Sequence, residues 1–342
     1  MSSLQSLRLA HLHHSHTKGA TTRHSLMRTS LSAVPVIDIR GLEGASRFST
    51  ISDIGKACRE KGYFQVANHN IPSSTLYGAL HVASAFFDSE TDEKQRLMSD
   101  DITKPVRFHM IKEMVIGEEK IQRLFLKHYA HPLEEWIHMW PSEPLEYRNN
   151  MGTYSVEVRK LALQVMEAIM ESLGLGRGYL KNQMHDGFQV MALHAYPLCE
   201  HTNPCPSFGI APHSDYSIIT IVLQSSPGLE ELDPKTNTWE LLPHRYDSLC
   251  VHVGNYLEVI SNGLYKSAVH QVSSNRDSDR VSIASLHSLS IDEQVCVADK
   301  LITECTPKGY KDSNLRDFLR FLPINKGQHL QCNDYIDTLK IK

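Results

Sequence analysis

The pattern of apolar positions changes character near Gly187. Before it, helical spacing dominates. Ile51, Ile54 and Cys58 share a face of a helix predicted over about Thr50–Gly62, and a second helix is predicted over about Ser73–Phe87. The clearest helix runs from about Met151 to Leu173. Tyr154, Val158, Leu161, Val165, Ile169 and Ser172 trace its stripe, and Gly174 supplies a C-terminal stop. Two short β-rich runs, Val34–Ile39 and Tyr63–Ala67, flank the first helix. From about Thr103 to Tyr147, aromatics and Pro mix without a clean period, which reads as irregular strand and loop.

After Gly187 short alternating runs take over: Phe188–Tyr196, Ser217–Leu223, Thr238–Leu242, Ser248–Val253 and Val281–Leu286, separated by turn signals such as Asp233-Pro-Lys-Thr-Asn237. A last helix is predicted around Ser313–Leu322, with Leu315, Phe318, Leu319 and Leu322 as its apolar stripe. Helices first and strands later predict an α+β chain around a β-sandwich or barrel. Gly174, Gly176 and Gly178 follow a helix rather than a strand, so they do not form a phosphate-cradling loop.

Composition narrows the function classes. The chain has 342 residues and a formal net charge of −4, without the basic excess that phosphate contacts demand. No apolar run approaches the roughly 18 residues needed to span a bilayer. Seven cysteines are scattered without a C-x-x-C pair, which fits reduced thiols in a cytoplasmic protein better than a disulfide framework or zinc-thiolate site. Residues 1–33 hold no Asp or Glu, with Arg8, Lys18, Arg23 and Arg28, five His and many Ser and Thr. That composition overlaps with an organellar transit peptide; a flexible N-terminal arm is the expectation adopted.

An H-x-D triplet alone carries little information in a chain with 20 His. The context of His213-Ser214-Asp215 adds more. On a strand, residues i and i+2 face the same space, and Ser217–Val222 follows as a β-type run. A carboxylate and two imidazoles on one face of a metal leave three positions open. His270 ends another short β-like run, Tyr265–His270, and Arg280-Val-Ser282 again has i, i+2 spacing. Arg offers a planar fork of donors suited to a carboxylate. Phe108, Trp136, Trp140 and Phe318 are candidates to line a pocket, although aromatics in such segments more often belong to the core.

In these residues the chain resembles the plant-type 2-oxoglutarate- and Fe(II)-dependent dioxygenases. The match comprises His213 and Asp215, the distal His270, then Arg280 and Ser282, in family order and near family spacing. Tyr196-Pro197-Leu-Cys199 resembles the family's Tyr-Pro-Pro-Cys element, and Gly254–Ser267 its run before the distal His. Val34–Asp38 and Gly62–His69 look like its N-terminal region, so the resemblance covers about residues 34–340. The branch nearest in pattern is the flavanone 3-dioxygenase-like and downy-mildew-resistance-type oxygenases. The resemblance implies a double-stranded β-helix (jelly-roll) core braced by helices. It divides the chain into an arm (1–33), an N-terminal region (34–150) and a helix plus jelly-roll core with a C-terminal lid helix (151–342).

It also implies Fe(II) held by His213, Asp215 and His270, and 2-oxoglutarate anchored by Arg280 with Ser282 and Tyr196. O₂ is the second co-substrate, and a small plant specialised metabolite (flavonoid-, phenolic- or alkaloid-like) is hydroxylated or desaturated by a monomer. Two departures stand out. Ala192 and His194 occupy positions where the family carries Arg and Asn, and Leu286 sits where some flavonoid-oxidising members place a stacking Phe. A non-catalytic jelly roll that binds a carboxylate and a cupin-like metal hydrolase or isomerase are the alternative readings.

Overall fold

The computed structural model describes residues 34–90, 92–115, 118–197, 208–273, 279–324 and 332–341. The predicted arm, residues 1–33, lies outside them, as does Cys199. The described strands are β1 (Val36–Asp38), β2 (Tyr63–Ala67), β3 (Val106–Val115), β4 (Glu118–His131), β5 (Phe188–Tyr196) and β6 (Phe208–His213). They continue with β7 (Ile219–Gln224), β8 (Leu229–Asp233), β9 (Thr238–Leu241), β10 (Leu249–Val253), β11 (His270–Ser273) and β12 (Arg280–Ser288). They form a main sheet in the order β1-β2-β10-β7-β12-β5-β4-β3 and a minor sheet in the order β6-β11-β8-β9. Every pairing is antiparallel except β1 with β2, which the helix Arg47–Glu60 connects.

Alternation along the main sheet decides which side chains reach the barrel interior. Met191, Leu193, Ile219, Ile221, Ile283 and Val251 join the core cluster that includes Tyr154, Val158, Leu161 and Ile169 of the helix Tyr147–Ser172. Intervening residues, among them Tyr63, Tyr196, Val222 and Cys250, form a separate cluster with Leu229 and Val272 of the minor sheet. The central strands are therefore covered on both faces and read as nearly continuous apolar runs. The long helix starts four residues before the predicted Met151 and stops as predicted. Gly174, at φ +74°, lets Leu175 N–H reach Met170 O at 3.0 Å and Gly174 N–H reach Glu171 O at 2.9 Å.

Three sequence expectations shift. The stretch read as irregular contains the longest hairpin, β3–β4, with Val106 opposite His128 and Val115 opposite Glu118. Its inward positions carry Arg107, Arg123 and Lys127, which obscures the apolar alternation of a strand. The strand predicted to end at His270 instead begins there, because the preceding segment folds as a helix over Asn255–Ile260 and then a turn. Asp215 does not share a strand with His213: β6 ends at His213, and Asp215 lies in the connection to β7. The last helix spans Leu315–Ile324.

Candidate active site

Two strands of the minor sheet set the imidazoles side by side. His270 of β11 is the direct cross-strand partner of His213 of β6, and their ring centroids are 4.3 Å apart. Each ring is oriented by its own backbone. His213 Nδ1–H donates to Ala211 O at 3.0 Å, and His270 Nδ1–H donates to Ala268 O at 3.3 Å. These bonds fix the tautomer and leave both Nε2 lone pairs free to bind a metal. Asp215 Oδ1 lies 3.8 Å from His213 Nε2 and 4.0 Å from His270 Nε2. Donors about 2 Å from one ion are separated by distances of this order.

The loop that carries Asp215 is held from behind. Asn255 N–H donates to Asp215 O at 2.7 Å, and Ser214 Oγ donates to Asn255 Oδ1 at 2.7 Å. Gly254 allows that approach, since a Cβ there would sit 2.0 Å from Ser217 O. Electrostatics suit ligation. Burial pushes His213 down to about 3 and lowers His270, which keeps both rings neutral at neutral pH. Burial works to raise the Asp215 carboxyl, but His270, His252 and His213 around it hold it well below the usual carboxylate range. The donor set therefore fits a divalent transition metal with open positions, as in a two-His, one-carboxylate facial triad.

Behind the triad lies a second group that the sequence reading missed. The His252 ring of β10 lies tilted against His270 with centroids 4.4 Å apart, and its Nδ1 is 3.9 Å from Asp215 Oδ2. Its Nε2 is 2.7 Å from Glu231 Oε1, and both side chains are fully buried. Burial opposes the imidazolium, yet Glu231 raises His252 well above its ordinary value.

Arg280, Ser282 and Tyr196 also come together. Arg280 and Ser282 share the inward face of β12, and Tyr196 is the direct partner of Arg280 on β5. The Arg280 guanidinium lies 4.8 Å from the Tyr196 ring centroid. It donates from Nη2 to Gln224 Oε1 at 2.7 Å and from Nε to Ser226 O at 3.2 Å. Its Nη1 is buried without a hydrogen-bond partner, so one prong of the fork is free for an acceptor. Tyr196 OH and Ser282 Oγ are 3.5 Å apart. His194 is the cross-strand partner of Ser282, and burial together with the charges of Arg123, His213 and Arg280 holds it well below its ordinary value.

A cavity of about 360 Å³ is walled in part by Tyr216, the residue after Asp215. One side is apolar: Leu315, Phe318, Leu319 and Leu322, with Phe318 stacked on Tyr216 at 4.7 Å. The other side is β3 and β4, presenting Arg107, Arg123, Phe125, Lys127 and Tyr129. Of the aromatics singled out from sequence, Phe318 lines this cavity. Phe108 and Trp140 lie in the core, at 1% and 0% exposure, and Trp136 packs edge-on against Tyr129. The cationic residues of β4 carried one readable signal, the i, i+2, i+4 spacing of Arg123, Phe125 and Lys127.

Residues 187–288 match the 2OG-Fe(II) oxygenase superfamily, and residues 34–143 match the N-terminal region of non-haem dioxygenases in morphine synthesis. The chain is 44% identical over 310 residues to 2-oxoglutarate-dependent dioxygenase 21, chloroplastic, of Oryza sativa subsp. japonica, covering 90% of this chain and 91% of that protein. It is 41% identical to flavanone 3-dioxygenase 3 of the same organism, covering 90% and 93%. The crystal structure of JOX2 in complex with 2OG, Fe and JA superposes with a TM-score of 0.79 at 23% identity, covering 90% of this chain and 89% of that one. It shares the double-stranded β-helix fold.

Proposed function

Because the chain belongs to the plant-type 2-oxoglutarate- and Fe(II)-dependent dioxygenases, we propose that His213, Asp215 and His270 hold its iron and that Arg280, Ser282 and Tyr196 anchor its 2-oxoglutarate. The observation that supports the metal assignment best is the cross-strand His213–His270 pair, whose tautomers leave both Nε2 atoms directed toward Asp215. Bound Fe(II) supplies the O₂ activation. One oxygen atom goes to succinate, formed with CO₂ from 2-oxoglutarate, and the other to the hydroxylated product, or to water when the substrate is desaturated.

The protein's own residues do the rest. The free Nη1 of Arg280 meets the far carboxylate of 2-oxoglutarate, with the Ser282 and Tyr196 hydroxyls beside it. His194 takes the place of the family's Asn beside this anchor. Gln224 and Ser226 O hold Arg280 in place before the co-substrate arrives. Phe318, Leu319 and Tyr216 keep the substrate cavity apolar and exclude water from the reacting carbon. A small plant metabolite is the substrate, and the relatives named as flavanone dioxygenases support a specialised metabolite. The alternatives weaken: a binding protein needs no open metal positions, and a hydrolase needs no second carboxylate anchor.

Among the described residues no helix is long and apolar enough to cross a membrane. We read the working protein as a monomer in the cytoplasm, with residues 1–33 an arm outside the catalytic unit. The relative named as chloroplastic makes the compartment a question for a reporter fused to that arm.

The assignment is tested with the full chain, Fe(II) and 2-oxoglutarate, following succinate release together with bound metal. Wild type should bind one iron and form succinate. Asp215→Ala should lose tight metal binding and fall to background turnover, since one of three protein ligands is gone. An Asp215→Ala protein with near-normal iron content and turnover would refute the triad.

A further inference from the structure

The cavity wall formed by β3 and β4 carries three cations, Arg107, Arg123 and Lys127, none of them in an ion pair among the described residues. Arg107 and Lys127 are direct cross-strand partners, so their Cβ atoms stand about 5 Å apart and both side chains line the same inward face. Like charges placed directly opposite each other destabilise a sheet. Neither residue has an ion-pair partner among the described residues. Lys127 Nζ donates to Ile102 O at 2.7 Å and lies 4.9 Å from the Tyr129 ring centroid. Arg107 sits 5.3 Å from the centroid of Phe125, and its Nε is buried without a hydrogen-bond partner.

Asp100 and Asp101 reach Arg107 with their charge, and Asp101 reaches Lys127, but neither carboxylate forms an ion pair with them. Asp101 accepts from Thr103 N–H at 2.9 Å and Thr103 Oγ1 at 2.6 Å, and Asp100 faces His109 at 3.4 Å. Burial, reinforced by Arg107, brings Lys127 down to about 8, so the ammonium is held at a cost in an enclosed site. Ala192, opposite Lys127 on β5, contributes only a methyl group. The facing wall is entirely apolar.

An apolar chamber with a free cation pair at one side matches a ligand with an apolar body and one anionic end. We propose that Arg107 and Lys127 bind a carboxylate of the substrate, and that this enzyme oxidises a small organic acid. This deepens the dioxygenase reading and rests on it. The carboxylate sits between Arg107 and Lys127, and the apolar body lies against Leu315, Phe318 and Leu322 with its far end toward Tyr216 and the metal. Arg123 lies four residues from Lys127 along β4, about 13 Å away by strand rise. It donates from Nη1 to Gly209 O at 3.0 Å and acts on His213, His194 and Tyr196, so it belongs to the metal end of the chamber.

The experiment uses the full chain with Fe(II) replaced by Co(II), saturated with 2-oxoglutarate, and isothermal titration. The probes are phenylalkanoic acids of two to six chain carbons, each paired with its neutral primary amide. The best acid should bind about 10- to 100-fold more tightly than its amide, the range for a charge-assisted contact. Lys127→Met and Arg107→Met should shrink that preference to near unity, and Lys127→Arg should retain most of it. Equal binding of acids and amides by wild type overturns the proposal without any variant. Succinate formation from 2-oxoglutarate by the Fe(II) protein is measured in parallel. If it occurs while acids and amides bind alike, the carboxylate grip alone is wrong. If it never occurs, the dioxygenase reading itself fails.

Discussion

Glu258 and Lys127 are both charged groups carried well inside the protein, and the fold treats them in opposite ways. Glu258, on the helix behind the metal loop, is saturated. It accepts from Ser267 N–H and Ser267 Oγ at 2.8 Å each, from Tyr310 OH at 2.8 Å and from Lys266 Nζ at 3.1 Å. Burial works to raise its carboxyl, but Ser267, Lys266 and Tyr310 outweigh it and leave the value lowered. Lys127 keeps one carbonyl, an aromatic face and a like-charged neighbour. A charge that serves the fold is closed by internal partners, whereas one that serves a ligand is left open. Arg280 stands between these cases, with two acceptors supplied and one prong free.

The largest expected effect tests this contrast through stability. Glu258→Ala strands several buried donors and removes an ion pair, which should cost about 3–5 kcal/mol. Lys127→Met should leave the melting temperature unchanged or slightly higher, because it removes an uncompensated cation. The pH dependence carries the same sign. The Glu258 pKa is lowered on folding, so its contribution is present above the unfolded value near 4.3 and is lost as pH falls through it toward the folded value. Chemical unfolding of the three proteins from pH 7 down to about pH 3 measures this. A Lys127→Met protein destabilised as much as Glu258→Ala would show that Lys127 is a structural cation.

The next effect is kinetic and concerns the half-open case. Arg280→Ala removes a charge-assisted contact and should raise the Michaelis constant for 2-oxoglutarate roughly 10- to 100-fold, with metal content preserved. Arg280→Lys keeps the charge but loses the planar fork, so it should fall between wild type and the Ala variant. An unchanged constant in Arg280→Ala would move the anchor elsewhere, with Arg123, whose charge also acts on His194, the alternative to test.

How much of this was legible beforehand follows the same division. His213 with Asp215 and Arg280 with Ser282 were readable as candidates because each pair keeps i, i+2 spacing, whereas His270, far along the chain, was picked out by its short β-like run and the family resemblance. Tyr196 was readable as the residue before Pro197. The central strands were readable because both faces are buried and the run is apolar. The β3–β4 hairpin was not, because its inward face holds the chamber's cations and its alternation reads as polar noise. Asp215 was placed on a strand with His213, but the chain turns there to let Asn255 hold the loop. Glu231 and His252 gave no signal, since their pairing joins β8 to β10 across the barrel and no local spacing encodes it.

Tyr196 gives the smallest effect and the finest test of how the open prong of Arg280 works. Its side chain offers two things: a ring packed 4.8 Å from the guanidinium and a hydroxyl 3.5 Å from Ser282 Oγ. That hydroxyl contact is at the outer limit for a hydrogen bond between oxygens, so it contributes little before a ligand binds. Tyr196→Phe keeps the ring and its attraction for the cation. It should raise the Michaelis constant for 2-oxoglutarate about two- to three-fold, equivalent to roughly 0.5 kcal/mol. Tyr196→Leu also loses the π face, which adds about 0.5–2 kcal/mol for a buried cation–π contact, so its increase should be several times larger. The two variants are compared by steady-state kinetics over a 2-oxoglutarate series. If Tyr196→Phe is as damaging as Tyr196→Leu, the hydroxyl carries the co-substrate contact and the ring only fills space. If both match wild type, Arg280 is oriented by Gln224 and Ser226 alone, and β12 rather than β5 defines the anchor.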